Sequence, residues 1–166
     1  EPLDPNPDSP AVQNLVQLLS LIPMMANSVF CPDLEPVITL PATVEVLSHQ
    51  FNPEIQEVLN KQWEAIASVV SDKNYQKVEE LSDSFLEKLG NPELPELTPQ
   101  IEAIIKIITK LITLDVEYAK KLVEWQVGEK LANLVERFPR HTLCHLAVTN
   151  FAVSAASVKD FPDLVD

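Results

Sequence analysis

Glycine is almost missing from this chain, with only two in 166 residues, and aromatic residues make up 6%. A turn-rich β architecture or a glycine-rich phosphate loop needs far more glycine than that. Cysteine is nearly as scarce. Cys31 and Cys144 are too far apart to form a Cys-x-x-Cys metal pair and too few to form a disulfide framework, so a reducing, cytoplasmic setting is expected. Positive charge is absent from residues 1–60, which carry eight acids (Glu1, Asp4, Asp8, Asp33, Glu35, Glu45, Glu54, Glu57) and no Lys or Arg. The net charge of −13 repels phosphate backbones, which argues against nucleic-acid binding. Long uninterrupted apolar runs are missing too. The best, residues 101–114, contains Lys106 and Lys110, and no membrane span is expected. The uncharged stretch from Ser9 to Pro32 follows Glu1, Asp4 and Asp8 where a secretory signal would carry bases, and Pro23 interrupts it.

What is present is helical. Residues 1–8 hold three prolines and three acids and read as a disordered lead or linker, followed by a helical domain over 9–166. Ser9-Pro10 sets a capping side chain before a proline at the first helical position, where the missing N–H does no harm. The device recurs at Asn52-Pro53 and Thr98-Pro99. Each start reads cap, Pro, small or polar, β-branched apolar, Gln or Glu, any residue, apolar, apolar, at offsets of 43 and 46 residues. That lies in the range of about 40–47 residues expected of HEAT and armadillo repeats, although Pro-capped amphipathic helices also resemble one another without a repeat. The fold class that follows is all-α, an armadillo/HEAT-like α-solenoid segment of stacked helix pairs.

Within that frame Ile55, Val58, Leu59, Trp63, Ile66, Val69 and Val70 mark one helical face. Asn74 is placed to cap a helix carrying Val78, Leu81, Phe85 and Leu89, which Gly90 stops. Asn91 to Pro99 reads as a loop. The next helix, with Ile101, Ile104, Ile105, Ile107, Ile108, Leu111 and Ile112, has an apolar band wide enough to be packed on several sides and is expected at the centre. Asp115 caps a further helix with Val116, Ala119, Leu122 and Val123. Gly128 marks a bend before Leu131, Leu134, Val135 and Phe138, and Pro139 separates a last long helix over about 141–157. Residues 23–49, broken by Pro23, Pro32, Pro36 and Pro41, allow only short helical pieces. Residues 161–166 read as the opening of another helix, as expected of a fragment of a larger protein.

The one dense group of reactive side chains is Arg140-His141-Thr142-Leu143-Cys144-His145. His141 and His145, four apart, would share a helical face and could hold zinc, but a structural site wants four ligands and a catalytic one three. Cys144 and His145 are adjacent and point about 100° apart on a helix, which is wrong for a nucleophile and its base. Paired acids such as Glu79-Glu80 sit in solvated, charged stretches, and Trp63 and Trp125 fit helix packing. No cofactor, no metal and no enzymatic activity are expected.

From Phe51 onward the order of features resembles the SAPS family, helical-repeat regulatory subunits of protein phosphatase 6. The run from Thr98 to Ile112 is similar to that family's apolar helix. Leu131-Ala132-Asn133-Leu134-Val135-Glu136-Arg137-Phe138-Pro139 followed by Leu143-Cys144-His145 is similar to its aromatic-Pro turn and Leu-His pair. Arg140-His141-Thr142 stands where the family shows Trp-Asn-Asn, and a second aromatic near Val135 is missing. The resemblance implies a scaffold that binds a serine/threonine phosphatase catalytic subunit. A binding surface is expected at Lys130, Arg137, Arg140 and His141, bases clustered beside the Pro139 turn of an acidic chain. A second possibility is a carrier whose residues 9–32 line a cavity for a small apolar ligand.

Overall fold

The computed structural model describes residues 10, 13–14, 17, 20–21, 57, 60–61, 63–64, 66–68, 70–71, 75–79, 82–91 and 97–158, and these are overwhelmingly helical, with no strand among them. The chain divides into two compact units, Glu1–Val69 and Val70–Asp166. In the first, Pro10 is helical, and the described positions from 10 to 21 are all exposed. Trp63, Ile66 and Ala67 are buried. The expected lead, the Asn52-Pro53 start, the Asn74 cap, the short pieces over 23–49 and the terminal 161–166 segment lie outside the described residues, as does most of the supposed ligand-lining stretch.

The second unit is built from α1 (Tyr75–Glu79), α2 (Ser82–Leu89), α3 (Pro99–Leu114), α4 (Val116–Glu124), α5 (Val127–Arg137) and α6 (Thr142–Ser157). At the centre is α3. Its Ile101, Ala103, Ile104, Ile105, Ile107, Ile108, Leu111 and Ile112 are all buried, and it packs against α1, α2, α4 and α6. Val78, Phe85, Leu86 and Leu89 meet it from the preceding helices, and Tyr118, Ala119, Leu122, Val127, Leu131 and Leu134 extend the core along α4 and α5. Hydroxyls on α3 are satisfied locally, with Thr109 Oγ1 donating to the Ile105 carbonyl at 2.6 Å and Thr113 Oγ1 to that of Lys110 at 2.7 Å. Ser82, fully buried at the start of α2, accepts from Lys121 Nζ at 3.3 Å and so ties α2 to α4.

Helix ends follow the sequence in some places and not in others. The α3 helix begins at Pro99 as expected, but the Thr98 side chain makes no capping bond. Instead the Thr98 carbonyl accepts from Ile101 N at 3.0 Å, a donor that a capping side chain would take, as well as from Glu102 N at 3.4 Å in the first regular helical bond. Asp115 is a true cap, its Oδ1 accepting from Glu117 N at 2.8 Å. Val116, which the sequence pattern set on the inward face, is 52% exposed, and Tyr118 is buried in its stead.

The break after α4 is not at Gly128, which lies inside α5. It falls at Trp125 and Gln126, and Gln126 adopts the left-handed conformation at φ 52°, ψ 44°. That residue closes α4 with a bond from its N–H to the Val123 carbonyl, 2.9 Å, in the manner of a left-handed C-terminal cap. Glycine would take this shape without strain, and its absence hid the turn. Gly90 does follow the last residue of α2, though without a positive φ. Its virtue is size, since a Cβ there would meet Lys130 Cε at 3.1 Å.

Candidate functional site

The His141, Cys144 and His145 group and the bases Lys130, Arg137 and Arg140 lie at the α5–α6 corner and beside the end of α2. Phe138, Pro139, Arg140 and His141 form a tight turn closed by His141 N donating to the Phe138 carbonyl at 3.0 Å. Proline at the second position presets the φ that such a turn needs. His141 is therefore the cap of α6, not a member of it, and its Nδ1 accepts from Cys144 N at 3.2 Å. His145 Nε2 lies 3.2 Å from the Phe138 carbonyl, which assigns the ring proton to that nitrogen. Both imidazoles are thus engaged by backbone. Among the described residues no three His, Cys, Asp or Glu side chains cluster to hold a metal ion.

Glu102, which sequence reasoning did not single out, reaches this corner from α3. Its Oε1 is 3.5 Å from His141 Nδ1. One nitrogen cannot accept from Cys144 N and donate to a carboxylate at once. The shorter capping bond describes the neutral ring, whereas the contact with Glu102 becomes an ion pair only when the ring is protonated. His141 and Glu102 thus meet where α3 and α6 pack, with the Cys144 backbone on the imidazole, and this is not a nucleophilic triad. Cys144 is fully buried, and burial, with the Glu102 charge adding to it, pushes its thiol pKa up. A reactive thiolate needs the opposite environment.

The four bases expected to form a surface are divided. Lys130 and Arg137 line a common cleft of about 250 Å³, together with Gly90, Asn91, Asn133 and Glu136. Lys130 Nζ sits 5.0 Å from the centre of the Trp125 ring, and the Arg137 guanidinium 5.4 Å from that of Phe138. Arg137 Nη1 also donates to the Asn91 carbonyl at 3.3 Å, joining the end of α5 to the residues after α2. Arg140 is exposed in the turn, and His141 is turned to its capping bond and Glu102. Lys88, directly before the cleft residue Leu89 on α2, is half-buried and its pKa is lowered by desolvation.

Gly90, Asn91 and Asn133 were not anticipated as neighbours of these bases, whereas Glu136 is an acid that the sequence already sets beside Arg137. Part of the cleft was legible, because Lys130, Asn133 and Arg137 are spaced i, i+3, i+7 and so share one face of α5. The approach of the α2 end was not, since it depends on tertiary packing.

No helix among the described residues is long and apolar enough to cross a membrane. No family model, curated protein or solved structure matches the chain.

Proposed function

We propose that the chain is a protein-binding scaffold or regulatory subunit, a cytoplasmic armadillo/HEAT-like α-solenoid segment with no catalytic activity of its own. The observation that carries this reading is the pair of cations, Lys130 and Arg137, fixed on aromatic rings at one cleft of a chain whose net charge is −13. Held cations on a rigid helix serve recognition, and in an acidic molecule they mark where a partner of opposite charge is drawn in.

The helical order favours a solenoid. The helices α3, α4, α5 and α6 follow one another through short connections, the first of them the single residue Asp115, and each packs on the next or on α3. Successive short-linked helices of this kind bury a shared core and leave ridged surfaces for protein partners. The resemblance to the SAPS family names the partner class, a serine/threonine phosphatase catalytic subunit.

Affinity capture of the full chain from cells, compared with the Arg137→Glu/Arg140→Glu double variant, tests the reading. Both side chains are exposed, so the variant should melt within about 1 kcal/mol of the parent while partner recovery falls, more steeply in higher salt. Loss of a phosphatase catalytic subunit would support the family assignment. Unchanged recovery of every partner would move the binding surface elsewhere.

A further inference from the structure

Two contacts of His141 cannot be held at once, and a proton decides between them. We infer that His141 is a pH-operated latch: neutral, its ring caps α6, and protonated, it leaves the cap and pairs with Glu102 on α3. The latch does not depend on what the chain binds.

Both partners stand close to one atom. Nδ1 accepts from Cys144 N at 3.2 Å, and Glu102 Oε1 lies 3.5 Å from the same nitrogen. A small rotation of the ring therefore exchanges one for the other. A proton on Nδ1 turns an acceptor into a donor, so the ring and the Cys144 N–H would then point hydrogens at each other. The start of α6 also carries the positive end of the helix dipole, which repels a charged ring. Glu102 attracts it. The Glu102 side chain is only 13% exposed, so water and salt screen that attraction little. All three forces move the charged ring the same way, toward α3.

The backbone around the ring is held independently of it. His141 N donates to the Phe138 carbonyl at 3.0 Å, and the His141 carbonyl accepts from His145 N at 3.2 Å. The turn therefore stays in place while the ring changes partner. What is lost is order in the first turn of α6, from Thr142 to Cys144, and what is gained is an ion pair across the packing of α6 on α3.

No neighbouring group supplies the same change. A histidine alters its charge between about pH 5 and pH 8. The elements packed on α6 are α3 and α5. On α3, Lys106 follows Glu102 by one turn and is exposed, and at the end of α5 Glu136 is exposed as well. Arg137 and Arg140 keep their charge throughout. The Cys144 thiol, pushed up by burial and by Glu102, stays protonated. His145 is the other histidine at the corner, but neutral or charged its Nε2 donates to the Phe138 carbonyl.

The test is a nuclear magnetic resonance titration of the isotope-labelled full chain from about pH 8 to about pH 5. It follows the His141 ring nitrogens and the shift and exchange protection of the Cys144 amide. As the ring becomes charged, the Cys144 amide should shift in step, and its protection relative to a free peptide should fall about fivefold, the factor that one N-cap bond represents. His141→Asn keeps a capping side chain that does not titrate, so the Cys144 amide should stay protected across the range. Glu102→Gln should show the same loss only at lower pH, with severalfold more acid needed, because the charged ring has no counter-ion. The latch is overturned if the parent's Cys144 amide is indifferent to the charge on His141. It is equally overturned if the amide still titrates in His141→Asn, which would assign the effect to His145, or if Glu102→Gln leaves the midpoint where it is in the parent.

Discussion

The helices α3 and α6 are each 16 residues long and comparably apolar, yet they occupy opposite situations. The α3 helix buries eight side chains and touches four other helices. The α6 helix buries Cys144, Ala147, Phe151 and Ala155 and leaves Leu143, Leu146 and Val153 more than half exposed. Apolar content therefore does not say where the centre of a helical unit lies. Position in the chain and the width of the apolar band decide it, because α3 is flanked by helices on both sides and its isoleucines cover several faces. Residues 142–157 contain no Asp, Glu, Lys or Arg, so no charged stripe marks which face of α6 looks outward, and only uncharged polar residues such as Thr149 and Asn150 do so.

The sharpest way to break the comparison is to charge the centre. Ile105 is fully buried on α3, and Ile105→Asp places a carboxylate where no solvent reaches it. The cost is several kcal/mol against a total of about 5–15, so the variant should be unfolded by circular dichroism at room temperature. A cooperative melt close to the parent's would remove α3 from the centre.

The inner face of α6 comes next. Phe151 is 2% exposed, and Phe151→Ala should cost about 3–5 kcal/mol through lost burial and an unfilled cavity. Chemical denaturation would read this as a lower midpoint with an unchanged slope. A loss under 1 kcal/mol would mean that α6 is only loosely seated on α3.

At the two ends of α4 the effects are smaller and opposite in sign, and they measure how far the sequence could be read. Asp115 is legible because a short acid before an apolar stripe is a capping signal, and Asp115→Ala should lose about 1 kcal/mol. Gln126 is illegible because nothing in its chemistry announces a left-handed conformation, which costs a non-glycine residue roughly 1–2 kcal/mol. Gln126→Gly should relieve that strain and, after glycine's extra chain entropy of about 0.5–1 kcal/mol, raise the melting temperature by up to a few degrees. A fall would show that the Gln126 side chain does more at this turn than its backbone strain costs. The same distinction runs through the candidate site. The bases could be found from charge and helical spacing, whereas the cap made by His141, the reach of Glu102 and the close approach of Gly90 to Lys130 depend on how helices meet.

The smallest effect belongs to the outer face of α6, and it tests whether exposure there is real. Leu146 is 56% exposed, and glutamine is nearly as good a helix former as leucine, so Leu146→Gln removes apolar surface without disturbing the backbone. If water covers that face in the free chain, the melt should stay within about 0.5 kcal/mol of the parent, in contrast to Phe151→Ala five residues along the same helix. The pair also separates two reasons for a helix to carry leucines and valine on its outer face. A stability loss of 2 kcal/mol or more in Leu146→Gln, comparable to the loss on the inner face, would mean that Leu146 is covered in solution, and sedimentation of the parent and the variant would then report whether a second copy of the chain does the covering.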